Sequence, residues 1–401
     1  MFRDIDLSIF LPALALTVIG IILIFAATYY SAIPSEKSLY AKQIFWTLLA
    51  LAACFVVFKI PLKFHLALAP FYYGLSLFVL LALMIYSKEF ASRWIRVGGF
   101  NIQPAEPAKL ALVLMIARFL AFKKMRFQNY GWVFTMLLIA AVPAALVLIQ
   151  PDLGSSLVFF ALYLFMLVWT GLPINRVLLV ITPILSMLCA FHWITWAIFF
   201  FLLFLLIIFS RLTIVQTVFF IIVNLLFGMV TPLIWNKLHG YQKLRIITFL
   251  DPGQDPRGAG YQIIQSKIAV GSGGFFGQGF LEGSQTKLNF LPEQHTDFIF
   301  SVLAEQFGFI GCIVVIGLFL WIFYKGLTVA YKARNPFYSY IVAGVVGILV
   351  FQVLLNIGMA IGLMPVTGLP LPLVSYGGSS LIFFWTAVGF ILAVRRDWHE
   401  Y

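Results

Sequence analysis

The segment Leu291-Pro292-Glu293-Gln294-His295-Thr296-Asp297 sets an imidazole, a hydroxyl and two carboxylates directly ahead of an apolar run that starts at Phe298. Acids are scarce, with Asp and Glu together numbering 14 in 401 residues. A carboxylate at the mouth of a membrane helix is costly to keep, so Asp297 is a candidate functional residue whose role depends on its side of the membrane and its neighbours. Its bland role would be to cap the helix by accepting backbone N–H bonds. Glu305 follows about two turns later on a similar face.

Four other clusters carry polar chemistry. Arg93-Trp94-Ile95-Arg96-Val97-Gly98-Gly99 offers two guanidinium groups suited to a pyrophosphate or a carboxylate, or to interfacial anchoring. In Gln103-Pro104-Ala105-Glu106-Pro107-Ala108-Lys109, Glu106 and Lys109 fall on one helix face, as a local ion pair or a charged cavity lining. In Gln150-Pro151-Asp152-Leu153-Gly154-Ser155-Ser156, Asp152 is placed to cap the next helix or to reach the same cavity. The stretch from Asn356 through Gly362-Leu363-Met364-Pro365-Val366-Thr367-Gly368-Leu369-Pro370 to Ser375-Tyr376-Gly377-Gly378-Ser379 is dense in Pro and Gly. Non-helical backbone at membrane depth must be buried in protein or line a wet cavity. A glycine-rich run, Gly271 to Gly279, follows Gln265, Ser266 and Lys267 and reads as turns or as a phosphate cradle.

The elements that position these residues are membrane helices. The chain is 63% hydrophobic and 10% charged, far from the quarter or so charged that soluble domains carry. Apolar runs at 7–30, 40–59, 66–86, 105–122, 131–149, 154–171, 177–192, 194–210, 212–236, 297–324, 337–363 and 379–394 predict an all-α polytopic bundle of about 10–12 transmembrane helices. The runs 177–192 and 194–210 read as two spans or one bent element. The first run is too long for a cleaved signal peptide. The net charge of +12 does not point to nucleic acid, because the cations sit in loops between apolar runs. Lys59, Lys63, Lys123, Lys124, Arg126, Arg176, Arg211, Lys325, Lys332, Arg334, Arg395 and Arg396 fall in loops of one parity, and the fewer Lys37, Lys42, Lys88, Arg93 and Arg96 in the other. That bias makes both termini cytoplasmic and puts Asp297 outside. The long loop 237–295 is then extracytoplasmic, and residues 261–270 form an amphipathic helix expected to lie flat on the membrane. Cys54, Cys189 and Cys312 have no metal-like spacing. These residues leave open an exterior-facing membrane enzyme, a transporter with broken helices, or a non-catalytic scaffold.

RWIRVGG with QPAEPAK, QPDLGSS, DPRGAGYQIIQSKIAVGSGG, LPEQHTDFIFSVLAEQFGFIG and GLPLPLVSYGGSS occur in that order between residues 93 and 380. Together they resemble the SEDS family of shape, elongation, division and sporulation proteins. GYQIIQSKIAVGSGG and Val366-Thr367-Gly368 are nearer the elongation branch than the division branch, and the sporulation branch shares the Val-Thr-Gly. The chain departs from the family in two places. It has room for three spans between about 177 and 236 where the family has one, so 176–236 is read as an inserted hairpin within a single domain, 1–401. Ala105 also replaces a serine common before the glutamate.

The resemblance implies a peptidoglycan glycosyltransferase that polymerises lipid II at the outer face of the bacterial plasma membrane, with Asp297 as the catalytic residue. Glu106, Lys109, Arg93, Lys267, Gln265, His295, Asp152 and Ser379 are the substrate-binding candidates. No cofactor is required by the resemblance, and a divalent cation, Mg or Mn, is compatible with the carboxylates. The implied partners are a class B penicillin-binding protein that crosslinks the new strand, packing near the last spans, and other membrane proteins of the elongation complex. A lipid-linked precursor flippase is the alternative. It would favour ionisable groups near the bilayer midplane, whereas Glu106, Asp152, Asp297 and Glu305 gather to one side.

Overall fold

The computed structural model describes residues 5–31, 33–86, 93–97, 100–123, 131–237, 240–254 and 259–399. Lys88, Lys124, Arg126 and the side chain of Arg96 lie outside them. The described chain is helical apart from one short hairpin. It runs α1 (Leu7–Tyr29), α2 (Leu39–Lys59), α3 (Leu62–Tyr86), strands β1 (Ile95–Val97) and β2 (Phe100–Ile102), α4 (Ala105–Phe122), α5 (Gly131–Ile149), α6 (Leu153–Trp169), α7 (Ile174–Cys189), α8 (Trp193–Ser210) and α9 (Ile214–Lys237). Then come α10 (Gly240–Leu250), α11 (Ala259–Ser272), α12 (Ser284–Lys287), α13 (Ile299–Lys332), α14 (Pro336–Ala360) and α15 (Gly378–Asp397). β1 and β2 pair antiparallel, with Arg96 opposite Asn101.

Every apolar run of the sequence is a helix, and residues 177–210 form two, α7 and α8. Nine helices among the described residues are long and apolar enough to cross a membrane. Three apolar helices fall short of that measure, each for a visible reason. α6 and α7 have 17 and 16 residues, about 24–26 Å against a hydrocarbon core of about 30 Å. α4 carries Glu106, Lys109 and Arg118 within 18 residues. Local chemistry starts and stops several helices. Asp6 caps α1 by accepting from Ser8 N at 3.0 Å, and Asn335 caps α14 in the same way with Pro336 at the first helical position.

The chain forms two compact units, residues 1–166 with 251–401, and residues 167–250. In the first, α2 packs along α15, and α14 is flanked by α4, α13 and α15. In the second, α7 packs against α8 and α9 around a polar seam. Asn224 Nδ2 donates to Thr182 Oγ1 at 3.1 Å, and the Ser186 hydroxyl donates to Asn224 O at 2.7 Å and accepts from Trp196 Nε1 at 3.1 Å. Such bonds hold helices together where apolar contact alone does not distinguish a neighbour from lipid.

The helix expected over 261–270 is present as part of α11. α11 packs on α13 and α14, because its Ser266 is buried and bonds the Ser301 hydroxyl at 2.7 Å and Ala360 O at 2.6 Å. The glycine-rich run is not a free cradle. α13 is interrupted at Gly308 (φ 62°, ψ −160°), and residues 274–279 fill the break. Phe309 N and Ile310 N donate to Gly274 O and Phe275 O, while Gln278 N and Gly279 N donate to Glu305 O and Gln306 O, at 2.9–3.2 Å. The amides of Gln278 and Gly279, which a phosphate would need, thus close a broken helix instead.

Candidate active site

His295, Thr296 and Asp297 lie just before α13, whose cap position is Phe298 and supplies no side-chain bond. The tripeptide is held against the loop that joins α14 to α15. Tyr376 N donates to His295 O at 2.9 Å, Ser375 Oγ to Thr296 O at 2.6 Å and Asn356 Nδ2 to Asp297 O at 2.9 Å. The partly exposed Asp297 carboxylate faces Gly368, where a Cβ would stand 3.6 Å from Oδ2. Thr367, one residue earlier, abuts the start of α6, since a Cβ on Gly154 would stand 2.6 Å from Thr367 O. The QPDLGSS and VTG motifs therefore meet under the aspartate.

Beside the tripeptide is a cavity of about 620 Å³. Its wall comprises Ser38, Ala41, Lys42, Phe45 and Trp46 of the α2 end, Trp94 and Asn101 of the hairpin, His295, Thr296 and Tyr376-Gly377-Gly378. The mix of aromatic faces with a few polar groups suits a ligand that is itself amphipathic. The His295 ring lies 5.7 Å from that of Tyr376. Burial pushes the imidazole pKa down, against the opposing pull of Glu293 and Glu36, so a neutral ring faces the cavity at pH 7. Two apolar grooves lie elsewhere in this unit, one of about 480 Å³ between α1 and α13 and one of about 320 Å³ between α3 and α4.

The remaining candidates take distinct places. Glu106 and Lys109 form an enclosed ion pair at 2.8 Å, 1% and 0% exposed, with Lys109 Nζ also 5.3 Å from the Phe383 ring. Neither lines the polar cavity. Arg93 donates to the carbonyls of Gln150 and Pro151 and lies 4.0 Å from Asp152. Asp152 accepts from Gln103 Nε2 at 2.8 Å and from Ser155 N and Oγ at 3.1 and 2.9 Å, capping α6. Lys267 is exposed and its chain crosses Gly362, leaving no room for a Cβ there. Gln265 is half-buried on α11, and Ser379 half-buried in the first turn of α15. Glu305 is fully buried, accepting from Gln285 N at 2.6 Å and from Thr286 N and Oγ1 at 3.1 and 2.5 Å. Among the described residues no three His, Cys, Asp or Glu side chains gather to hold a metal.

From the sequence, Asn356 and Ser375 stand only within the Pro/Gly-dense stretch and Lys42 only among the loop cations, and Gln43 and Trp46 have no role. A polar amide inside a predicted membrane span, as Asn356 is, is the available signal.

The FtsW/RodA/SpoVE family model of cell cycle proteins matches residues 6–197 and again 180–400. The chain belongs to this family, the SEDS proteins. The peptidoglycan glycosyltransferase MrdB of Escherichia coli is 34% identical over 389 residues, covering 96% of this chain and 93% of that one. The peptidoglycan glycosyltransferase RodA of Treponema pallidum is 34% identical over 437 residues, covering 98% of each. An FtsW protein of Geobacter metallireducens is 35% identical over 401 residues, covering 97% and 94%. Among solved structures, a chain of a peptidoglycan synthase complex that coordinates polymerization and crosslinking superposes with a TM-score of 0.73 at 29% identity over 99% of both chains. RodA of Thermus thermophilus superposes with a TM-score of 0.65 at 25% identity, covering 100% of this chain and 99% of that one. This SEDS protein is thus a multi-pass membrane peptidoglycan glycosyltransferase.

Proposed function

We propose that the protein polymerises lipid II, the undecaprenyl-pyrophosphate disaccharide peptide, into β-1,4 glycan strands at the outer face of the plasma membrane, with Asp297 as general base. The observation that carries this is the Asp297 carboxylate over Gly368, next in the chain to two residues that line an amphipathic cavity. Asp297 takes the proton of the acceptor's N-acetylglucosamine 4-hydroxyl. That oxygen attacks the anomeric carbon of the donor's N-acetylmuramic acid, and undecaprenyl pyrophosphate leaves with inversion. General-base assistance of this kind contributes about 10²–10⁴-fold. Lys42 on the cavity wall is better placed for the departing diphosphate than Lys109, which is enclosed, or Arg93, whose guanidinium is held by the 150–152 turn.

Val366-Thr367-Gly368 and the RodA and MrdB relatives support a role in elongation, which complementation of elongation-defective against division-defective cells would check. The likeness to a chain of a peptidoglycan synthase complex supports a crosslinking partner, a class B penicillin-binding protein, docked on the last spans. The deciding assay is polymerisation of labelled lipid II by the purified protein, with and without its transpeptidase. Wild type should make polymer and Asp297→Asn none, with complex formation intact. Equal polymer from both would remove Asp297 from the chemistry. Transfer of lipid II across liposomes without polymer would mean a transporter.

A further inference from the structure

Three consecutive carbonyls, those of His295, Thr296 and Asp297, accept bonds from outside their own segment. The third bond matters most. The helical ladder of α13 begins at Phe298 O, which accepts from Ser301 N and Val302 N, so Asp297 O sits one residue ahead of it. An unpaired carbonyl there would be costly. Asn356 Nδ2 supplies the partner at 2.9 Å, and donates also to Leu369 O at 2.8 Å. Leu369 adjoins Gly368, over which the Asp297 carboxylate lies. One amide group therefore ties the backbone of Asp297 to the floor beneath its side chain.

Asn356 is fully buried in α14, a helix otherwise built of apolar and small residues at its end. An amide placed there is expensive unless its hydrogen bonds are made; Nδ2 makes two, while Oδ1 makes none among the described residues. Ser375 extends the arrangement, as its hydroxyl accepts from Leu371 N at 2.8 Å while donating to Thr296 O. Gln43 of α2 in turn brackets Ser375, donating to Ser375 O at 3.2 Å and accepting from Gly377 N at 3.3 Å.

We infer that Asn356 is a positioning residue for Asp297, with Ser375 fixing the preceding carbonyl, so that the carboxylate is aimed by α14 and the α14–α15 loop rather than by the helix it precedes. This rests on Asp297 being the base. A reacting group displaced by about 1 Å can lose about 10²-fold in rate, so the loss should fall on kcat and leave the KM for lipid II unchanged.

The experiment measures kcat and KM on monodisperse protein for Asn356→Leu, Ser375→Ala, Ser375→Thr, Gln352→Leu and Asp297→Asn. Gln352 lies one turn earlier on α14, equally buried and with no hydrogen-bond partner among the described residues, so it controls for loss of any buried amide. The expected result is a kcat lower by about 10²-fold for Asn356→Leu, a smaller loss for Ser375→Ala that Ser375→Thr restores, and wild-type kcat for Gln352→Leu. Wild-type kcat in Asn356→Leu with Asp297→Asn inactive overturns the positioning role alone. An equal loss in Gln352→Leu overturns it too. Polymer from Asp297→Asn sinks the underlying base assignment instead. Should Asn356→Leu not fold, the Ser375 pair decides, since restoration by threonine supports the role and no loss in alanine refutes it.

Discussion

Glu106 and Lys109 stand one helical turn apart and are both enclosed, with Glu106 Oε2 making no bond among the described residues. Two charges removed from water hold each other in place, and either one alone would be stranded. Glu106→Gln or Lys109→Met alone should lower stability by about 3–5 kcal/mol, while Glu106→Leu with Lys109→Met should recover most of it. Thermal unfolding in detergent would read both, and a double variant as unstable as the singles would contradict the pairing argument. His295 gives a pH signature. Burial lowers its folded pKa below the unfolded value of about 6.5, so the unfolded state binds the extra proton. The stability this contributes is complete above about pH 6.5 and is lost as pH falls toward the folded pKa. His295→Gln should flatten that acid-side decline in melting temperature.

Among the elements, α13 shows how a membrane helix can be broken without leaving backbone unpaired. Gly308 takes a φ of 62° with ψ −160°, a conformation essentially reserved for glycine. A Cβ there would also stand 2.6 Å from Phe275 O. Gly308→Ala should therefore cost about 1–3 kcal/mol from backbone strain alone, with further loss from the clash, read as a lower melting temperature and yield. A variant of unchanged stability would mean that the break is not held by the 274–279 loop. Glu305 closes the same region by accepting the 285 and 286 amides, so this conspicuous acid serves the loop and not the cavity.

At the scale of the whole molecule, the described chain divides into two units, the smaller being residues 167–250. The two stretches of family match overlap at 180–197, within that region. The orientation proposed from loop cations is open to sided labelling in a cysteine-free background. Phe276→Cys should react with an impermeant thiol reagent in intact cells, and Ala333→Cys only after permeabilisation. The reverse pattern would invert the bundle and remove the active site from the lipid II side.

Several features were legible in the residues because they are local. Each helical run announces itself through length and apolarity within its own window. Asp152 carries its capping function within a turn of chain. The family motifs singled out the region of Asp297 before any coordinates. The sequence by itself thus determined a helical membrane protein, its SEDS membership and the segments that matter. What only the tertiary structure decided are long-range relations. Asn356 reaches Asp297 across 59 positions and Gln43 reaches Ser375 across 332. The glycine-rich run mends a broken helix, Glu305 turns inward, and Arg93 serves the 150–152 turn. A residue's type states which bonds it can make, but the partner is fixed by which distant segment the packing brings within about 3 Å.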